Sequence, residues 1–470
     1  MTKRKPTVAK KRKPAPKPKP TPNPTPSPSP GPTPKGPIQH VVIIVKENHA
    51  FDNYFGRFPG VDGDPNLATA SDPPSADHPH DHAAWLKRAT GAAKEQYGQP
   101  NIPNYWRYAQ QYTLCDKYFT AVAGPSTPNH LMLVAADSPI INNPHYRDPI
   151  NMQPPFNIPS LPANLEKAGL TWRNYGGYAQ GYITALKGSK NNVNASQFAT
   201  DAAAGNLATV SWLYGPTGLS EHPVESVQAG QKWTAQQVDA IVKGGLWPNT
   251  VIFITWDDWG GWYDHVTPPL VEKWTDGTQF TYGTRVGCLV LSPYARAGYI
   301  SHTQHTHVSL VKFCETTFGL PSINARDKAA DDMSDCFDFT QKPLAAPALP
   351  SESRHDPGDA RRQQEQQGGL SLTPEVQTKP ADREVAIQIK RNHDHRHDDS
   401  GATQTHQQQD WATRKHEWHR DRHEYQQQEQ SESSWVRQCW SPGAVDASGP
   451  APHRRNTEAL ADPGNEDQER

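Results

Sequence analysis

The fold is decided by residues 40–48, which read HVVIIVKEN. The first six of them form a short, uninterrupted apolar run, which is typical of a strand buried on both faces of a sheet. Two later runs have the same character, VIFITW at residues 251–256 and VGCLVL at residues 286–291. The three runs therefore predict three buried strands.

Helical patterns lie between and after these strands. Residues 161–170 have the spacing of a helix, and residues 309–318 begin with a capping-type serine and end before Gly319. Buried strands that alternate with helices predict an α/β domain with a mostly parallel central sheet flanked by helices.

The composition divides the chain into three parts. Of 470 residues only 34% are hydrophobic and 46 are proline, so the average combines a middle that can fold with two ends that cannot build a core. Residues 1–37 alternate proline with lysine, threonine and serine, which predicts a disordered basic arm. Residues 38–342 are long enough to bury a sizeable core. Residues 343–470 are rich in glutamine, histidine and charge, which predicts a disordered tail.

Charge and hydropathy limit the partners that the sequence predicts. A net charge of −2 gives no overall attraction to nucleic acid, so no specific nucleic-acid partner is expected. The basic arm is either a solvated spacer or a weak contact with anionic surfaces. No apolar run is long enough for a transmembrane segment. The basic N-terminus is not followed by the apolar part of a signal peptide, so the localisation stays undetermined.

The five cysteines are widely spaced and include no CxxC pair. This spacing argues against a cysteine-type zinc site or a thioredoxin-like motif. It leaves one or two disulfides open.

Acidic and amide side chains follow two of the predicted strands directly. Glu47 and Asn48 come after the first strand, and Asp257 and Asp258 come after the second. Ligands of open α/β sheets bind beyond the carboxyl ends of the strands, so these side chains predict an oxygen-rich, negative cluster. A divalent cation would relieve the repulsion, and the ligands suit magnesium, calcium or manganese, with zinc as a further option. The alternative is that the four residues are helix caps and surface charges; the combination of two such motifs favours the metal.

A candidate nucleophile lies in residues 123–129, AGPSTPN, which form a turn before the apolar stretch at 131–134. Ser126 would then lie at a helix N-terminus, where free N–H groups favour a bound phosphate. Coordination to a metal would lower the pKa of its hydroxyl and activate it. The alternative is that Ser126 is only a helix N-cap.

Histidines from separate segments are candidates for general acid–base chemistry and for stabilising a bound anion. They are His80, with its neighbours His78 and His82, and His222, His265 and His307.

Several longer motifs occur in a fixed order over about 300 residues. They are E-N-x-x-F-D-x-Y-F-G at 47–56, G-P-[ST]-x-P-N at 124–129, D-[DE]-x-G-G-x-x-D-H-V at 257–266, R-V-x-x-x-x-[IL]-S-P at 285–293, G-L-P at 319–321, R-D at 326–327 and F-D-F at 337–339. Together they resemble the bacterial phosphoesterase family that contains the non-haemolytic phospholipases C and a group of acid phosphatases. The resemblance covers neither end of the chain, and members of this family are often exported.

The resemblance implies an alkaline-phosphatase-like fold with one active-site divalent metal ion. The residues at the positions of the family's metal ligands are Glu47, Asn48, Ser126, Asp257 and Asp258. Ser126 also stands at the position of the nucleophile. The residues at or near the family's pocket histidines are His80, His222, His265 and His307. Two departures are Thr306, where an aspartate often precedes the histidine, and Asp258, where many members have glutamate.

The function implied by the resemblance is hydrolysis of phosphate esters, either phospholipids or phosphomonoesters, by a phosphoesterase catalytic domain at 38–342. Ser126 would form a phosphoseryl intermediate, and His80 would protonate the leaving alcohol. A lipase should have an apolar rim, which Trp256, Trp259 and Trp262 would provide unless they pack in the core. The alternative functions are a catalytically weak metal- and anion-binding protein of the same fold and, less favoured because no C-x-P-x-R motif is present, a sulfatase.

Overall fold

The computed structural model describes residues 36–145, 147–273 and 279–348. The predicted basic arm, except for its last two residues, and nearly all of the predicted tail lie outside these ranges. No helix in the described part of the chain combines the length and the apolar character that crossing a bilayer requires.

The described residues form fourteen strands. They are β1 (His40–Lys46), β2 (Ala68–Thr69), β3 (Glu95–Gln96), β4 (Thr113–Cys115), β5 (Tyr118–Phe119), β6 (Trp172–Tyr175), β7 (Asn192–Val193), β8 (Val210–Tyr214), β9 (Thr250–Trp256), β10 (Leu270–Lys273), β11 (Gln279–Thr281), β12 (Cys288–Leu291), β13 (Tyr299–Ser301) and β14 (His305–Thr306).

Ten α-helices accompany the strands in the same residues. They are α1 (Phe51–Phe55), α2 (His82–Leu86), α3 (Arg88–Gly91), α4 (Pro103–Gln111), α5 (Ser126–Ala135), α6 (Leu161–Lys167), α7 (Phe198–Ala203), α8 (Val227–Lys243), α9 (His307–Phe318) and α10 (Ala325–Ala329). Short 3-10 helices lie at Ile150–Met152, Ala179–Tyr182, Ala195–Gln197, Trp247–Asn249 and Ser334–Cys336.

Eight of the strands form one sheet in the order β13-β4-β12-β9-β1-β8-β6-β7. Strand β1 is central and pairs in parallel with β9 on one side and with β8 on the other. Strand β12 is antiparallel to both of its neighbours, β9 and β4, whereas the remaining pairs of the sheet are parallel. The predicted α/β class with a mostly parallel sheet flanked by helices is therefore confirmed.

Helices cover both faces of the central strands. Phe253 of β9 contacts Phe313 of α9, with ring centroids 5.0 Å apart. Trp256, three residues later in β9, contacts Tyr105 of α4 at 5.2 Å. Because side chains alternate along a strand, residues three apart point to opposite faces, so α9 and α4 pack on opposite sides of the sheet. This double coverage explains why every residue of β9 is buried.

The three apolar runs of the sequence form β1, β9 and β12, and the two helical patterns form α6 and α9. The start of α9 differs from its prediction. Its N-cap is Thr306, and Ser309 is the third helical residue, whose side chain accepts from the backbone N–H of Thr306 to complete a capping box.

Four cysteines lie in the described residues and all are free thiols: Cys115, Cys288, Cys314 and Cys336. The disulfides that the sequence left open are thus not formed among them.

Candidate active site

The ends of β1 and β9 bring four of the predicted site residues together. The two strands are in register up to Lys46 and Trp256, so the residues that follow them emerge side by side. The backbone N–H of Asn48 donates to Oδ1 of Asp257 at 3.1 Å, and the N–H of Asp257 donates to the carbonyl of Lys46 at 3.0 Å. These bonds join the two strand ends. Glu47, Asn48, Ser126, Asp257 and Asp258 are called the acidic cluster below.

Ser126 enters this cluster from the first residue of α5. Its Oγ lies 2.9 Å from Oδ2 of Asp258, 3.3 Å from Oδ1 of Asn48 and 3.5 Å from Oε2 of Glu47. The N-cap of α5 is Pro125, which has no side-chain capping bond, so the interpretation of Ser126 as a mere N-cap is wrong.

The turn before α5 is fixed by Asn129, whose Nδ2 donates to the carbonyls of Val122, Gly124 and Pro125. Gly124 is required because a Cβ at this position would lie 2.3 Å from the carbonyl oxygen of Ile141. These contacts hold the backbone segment that carries Ser126.

The side-chain amide of Asn48 shows what the acidic cluster requires. With its oxygen directed inward, that oxygen lies 3.0–3.3 Å from one oxygen of each other member of the cluster, and its nitrogen lies 2.8 Å from Nε2 of His222. Turned over, the amide would donate to those oxygens instead. With the oxygen inward, these close oxygen–oxygen contacts would be favourable with a cation beside them, since adjacent ligands of one divalent ion lie about 3–3.5 Å apart. The residues present therefore fit a divalent metal.

The pKa values in the cluster reflect crowded negative charge. Burial and the nearby Asp257 raise the pKa of Glu47 to about 8, and the same two causes raise the pKa of Asp258 well above its usual range. Burial opposes ionisation of Asp257 too, but its bond to His130 lowers its pKa overall. Such a cluster binds either protons or a cation.

His130 is a member of the site that the sequence reasoning missed. Its side chain is buried, and its Nε2 lies 3.0 Å from Oδ2 of Asp257 and 3.5 Å from Oε1 of Glu47. Its ring packs between those of Tyr178 and Tyr214, with centroids 4.9 and 5.1 Å away. The signal in the sequence was its position four residues after Ser126, which places both side chains on one face of a helix.

Two of the four predicted histidines lie beside the cluster. Nε2 of His222 and Nε2 of His80 lie 2.8 and 3.4 Å from the Asn48 side-chain amide nitrogen. In each ring Nδ1 bonds a carbonyl, that of Pro223 for His222 at 2.5 Å and that of His78 for His80 at 2.6 Å. The ring nitrogen that faces the cluster is therefore Nε2 in both.

The other two predicted histidines are engaged elsewhere. His307 is buried with Nε2 2.7 Å from the carbonyl of Asp257 and Nδ1 3.1 Å from the hydroxyl of Tyr118. Burial lowers the pKa of His307 to about 4. His265 contacts Asp52 at 2.6 Å and Asp62 at 3.1 Å. Neither ring bonds a side-chain oxygen of the acidic cluster.

The tryptophans proposed as an apolar rim are all buried. Trp256, Trp259 and Trp262 are at most 2% exposed, so the rim interpretation is wrong and core packing applies to all three. Trp259 has a supporting contact: its indole N–H donates to the carbonyl of His80 at 2.9 Å.

The structure is a mostly parallel sheet with a carboxylate cluster and a hydroxyl beyond the ends of its central strands, where ligands of open α/β sheets bind. The chain belongs to the phosphoesterase family, whose sequence model matches residues 38–79 and 77–321. It is accordingly a phosphoric ester hydrolase, and families of this kind generally use divalent metals.

Named relatives are similar over most of the folded part. The chain is 25% identical over 428 residues to phospholipase C B of Mycobacterium tuberculosis (strain ATCC 25618 / H37Rv), covering 68% of this chain and 80% of the relative. It is 24% identical over 444 residues to the non-hemolytic phospholipase C of Burkholderia pseudomallei, covering 69% of this chain and 62% of the relative. Among solved structures it is similar to a protein in the alkaline phosphatase superfamily from Vibrio parahaemolyticus, with 12% identity, 67% of this chain and 72% of that chain covered, and a TM-score of 0.37.

Proposed function

We propose that this chain hydrolyses phosphate esters of the phospholipase C type with Ser126 as the nucleophile and one divalent metal ion as cofactor. The observation that carries the proposal is the convergence of the Ser126 hydroxyl with the side-chain oxygens of Asn48 and Asp258. The names of the relatives favour a phospholipid headgroup ester over a phosphomonoester.

The residues that would hold the metal are Glu47, Asn48, Asp257 and Asp258. The hydroxyl of Ser126 would be a further ligand of the same ion. When bound, a divalent cation lowers the pKa of a coordinated hydroxyl and neutralises charge on phosphoryl oxygens. Magnesium, calcium and manganese suit this all-oxygen set, and zinc tolerates it. His130 lies within ion-pair distance of Asp257, 3.0 Å between Nε2 and Oδ2, and would support the set.

Two displacements account for the reaction. In the first, the Ser126 oxygen attacks phosphorus, the bond from phosphorus to the leaving oxygen breaks, and the serine proton passes to Asp258, whose Oδ2 lies 2.9 Å away. In the second, water attacks the phosphoserine and gives a proton to the imidazole that protonated the leaving alcohol. The bond from phosphorus to Oγ breaks, Asp258 returns its proton to Oγ, and phosphate or its monoester leaves.

The leaving alcohol needs a proton in the first step. His80 and His222 each direct Nε2 towards the amide of Asn48, which places two imidazoles at the edge of the acidic cluster. An imidazole at this edge of the cluster is a candidate general acid. His307 and His265 act instead as positioning residues, since their ring nitrogens bond Asp257 and Tyr118, or Asp52 and Asp62.

The test is hydrolysis of p-nitrophenyl phosphate and p-nitrophenylphosphorylcholine by the purified chain, with and without a chelator. Ser126→Ala and the chelator are each expected to remove most of the activity. Thr127→Ala is the matched control, because its hydroxyl lies 3.1 Å from that of Tyr178, outside the cluster. Retained activity in Ser126→Ala would overturn the assignment of the nucleophile.

The two substrates and an acid quench separate the remaining alternatives. Preference for the phosphorylcholine ester supports a phospholipase C, and preference for the monoester supports a phosphatase. Covalent phosphate on the peptide that contains Ser126 after the quench would support the two-step scheme. No turnover with any divalent metal supplied would favour a metal- and anion-binding protein instead.

A further inference from the structure

A second set of metal-type side chains lies away from the acidic cluster. Cys115 ends β4, His305 begins β14, and Cys336 ends the 3-10 helix Ser334–Cys336. All three side chains are buried, and their ligand-type atoms lie within 4.8 Å of one another. Neither sulfur is part of a disulfide. The three residues are far apart in the sequence, so no spacing motif announces them.

Two of the distances within this set lie close to the edge lengths of a tetrahedral zinc site. The sulfur atoms of Cys115 and Cys336 lie 3.7 Å apart, and the sulfur of Cys336 lies 3.9 Å from Nε2 of His305. Asp335 is beside them, with Oδ1 3.3 Å from that Nε2 and 3.7 Å from the same sulfur. With zinc–sulfur distances of about 2.3 Å and zinc–nitrogen or zinc–oxygen distances of about 2.0–2.2 Å, neighbouring ligands lie roughly 3.4–3.8 Å apart.

The surroundings orient the imidazole for binding through Nε2. Oδ1 of Asp331 lies 2.7 Å from Nδ1 of His305, on the side of the ring away from the sulfur atoms. A carboxylate in this position favours the tautomer with the proton on Nδ1, as in carboxylate–histidine–zinc arrangements. Nε2 lies 3.0 Å from the hydroxyl of Ser301, a contact that a bound ion would replace. The side chains of Asp331 and Asp335 are 34% and 25% exposed, which gives an ion a polar path from solvent.

We propose that Cys115, His305 and Cys336 bind a single zinc ion. The carboxylate of Asp335 lies next to the fourth coordination position of that ion. On binding, the two thiols lose their protons to solvent, and the two thiolates balance the charge of the ion around a neutral imidazole. The ion ties β4 to two segments that follow it by about 190 and 220 residues, so its role is structural.

The site also has a link to the acidic cluster. His307, two residues after His305, bonds the carbonyl of Asp257 at 2.7 Å. An ion on His305 would therefore help to hold β14, which leads directly into His307 at the start of α9. The contact of His307 with the carbonyl of Asp257 does not depend on the proposed reaction, because it affects only where the backbone of Asp257 lies.

Cobalt provides a readout that the acidic cluster cannot give. The metal-free full-length chain is titrated with Co²⁺ under reducing conditions and its absorption spectrum recorded. Thiolate ligands give a sulfur-to-cobalt charge-transfer band, and the acidic cluster contains no sulfur. The intensity of the band should correspond to one thiolate-bound cobalt ion per chain. The band should disappear when Zn²⁺ is added.

The variants are Cys336→Ser and His305→Gln, with Cys314→Ala as the matched control. Cys314 is also a buried free thiol, but it lies in α9 outside the proposed site. The band should be lost in Cys336→Ser, weakened and shifted in His305→Gln, which keeps both thiols, and unchanged in Cys314→Ala. Zn²⁺ should raise the thermal unfolding midpoint of the unmodified chain and of the control more than that of Cys336→Ser.

Two outcomes overturn the proposal. One is the absence of a charge-transfer band in the folded, reduced chain. The other is a band that persists in both Cys336→Ser and His305→Gln. Should Cys336→Ser fail to fold, the titration of the unmodified chain and of His305→Gln decides between these results.

Discussion

Nε2 of His130 lies 3.0 Å from Oδ2 of Asp257, and both side chains are buried. The imidazole arises one helical turn after Ser126, so α5 supplies the candidate nucleophile and also a partner for a candidate metal ligand. Its contact lowers the pKa of Asp257, whereas burial and the nearby Asp257 raise the pKa values of Glu47 and Asp258.

His130→Ala should weaken metal binding and activity together. Loss of a residue that supports a ligand typically costs about 10–100-fold in affinity or rate. Isothermal titration of the metal-free variant with Mn²⁺, and its kcat/KM on p-nitrophenylphosphorylcholine, provide the measurement. Tyr214→Phe is the control because it keeps the ring that packs 5.1 Å from His130. Unchanged metal affinity in His130→Ala would contradict the supporting role.

Asp258→Asn should reduce kcat by about 10²–10⁴-fold, the range for loss of a proton-accepting side chain. The carboxylate oxygen 2.9 Å from Ser126 Oγ is replaced by a carboxamide, which cannot take the serine proton in either orientation. Steady-state kinetics at saturating metal separate this effect from weaker metal binding. Asp239→Asn, whose carboxylate pairs with Lys243 on α8, is expected to retain most of the activity. Comparable losses in both variants would argue against a specific role for Asp258.

His80→Ala and His222→Ala should affect poor leaving groups more than good ones. An alkyl phosphate ester needs a proton on its leaving oxygen, whereas p-nitrophenolate leaves without one, so the variant with the general acid removed should lose about 10²-fold or more on the alkyl ester only. Rates on a phosphatidylcholine and on the p-nitrophenyl ester give the ratio. His265→Asn should leave that ratio unchanged, because its ring bonds Asp52 and Asp62. If the ratio of the two rates is the same in all three variants, neither His80 nor His222 is the general acid.

Glu315 should make the stability of the fold depend on pH. Its carboxylate is buried, and burial together with Asp327 raises its pKa to about 8. The folded chain therefore holds a proton that the unfolded chain releases above about pH 4.5, so stability falls as the pH rises from about 4.5 to about 8. Urea unfolding at pH 5 and pH 8.5 should show a smaller fall for Glu315→Gln than for the unmodified chain. Equal falls in the two proteins would contradict the prediction.

Much of the fold was predictable because its signals are local. Three short apolar runs mark strands that are covered on both faces, as the contacts of Phe253 and Trp256 with helices on opposite sides show. The acidic residues after β1 and β9 converge because parallel neighbouring strands end at the same edge of a sheet. The direction of β12 was not predictable, because a buried strand has the same apolar sequence pattern whether it pairs in parallel or, as here with β9, antiparallel.

The sequence by itself determined the α/β class, the acidic residues at two strand ends and the serine at the start of a helix, since each depends on order along the chain and on local periodicity. Only the tertiary structure decided which histidines face the cluster. It directs His80 and His222 towards Asn48 but ties His307 to a backbone carbonyl. It also brought together two cysteines separated by 221 positions. Contacts of this kind depend on how distant segments pack, and no local pattern of residues encodes that packing.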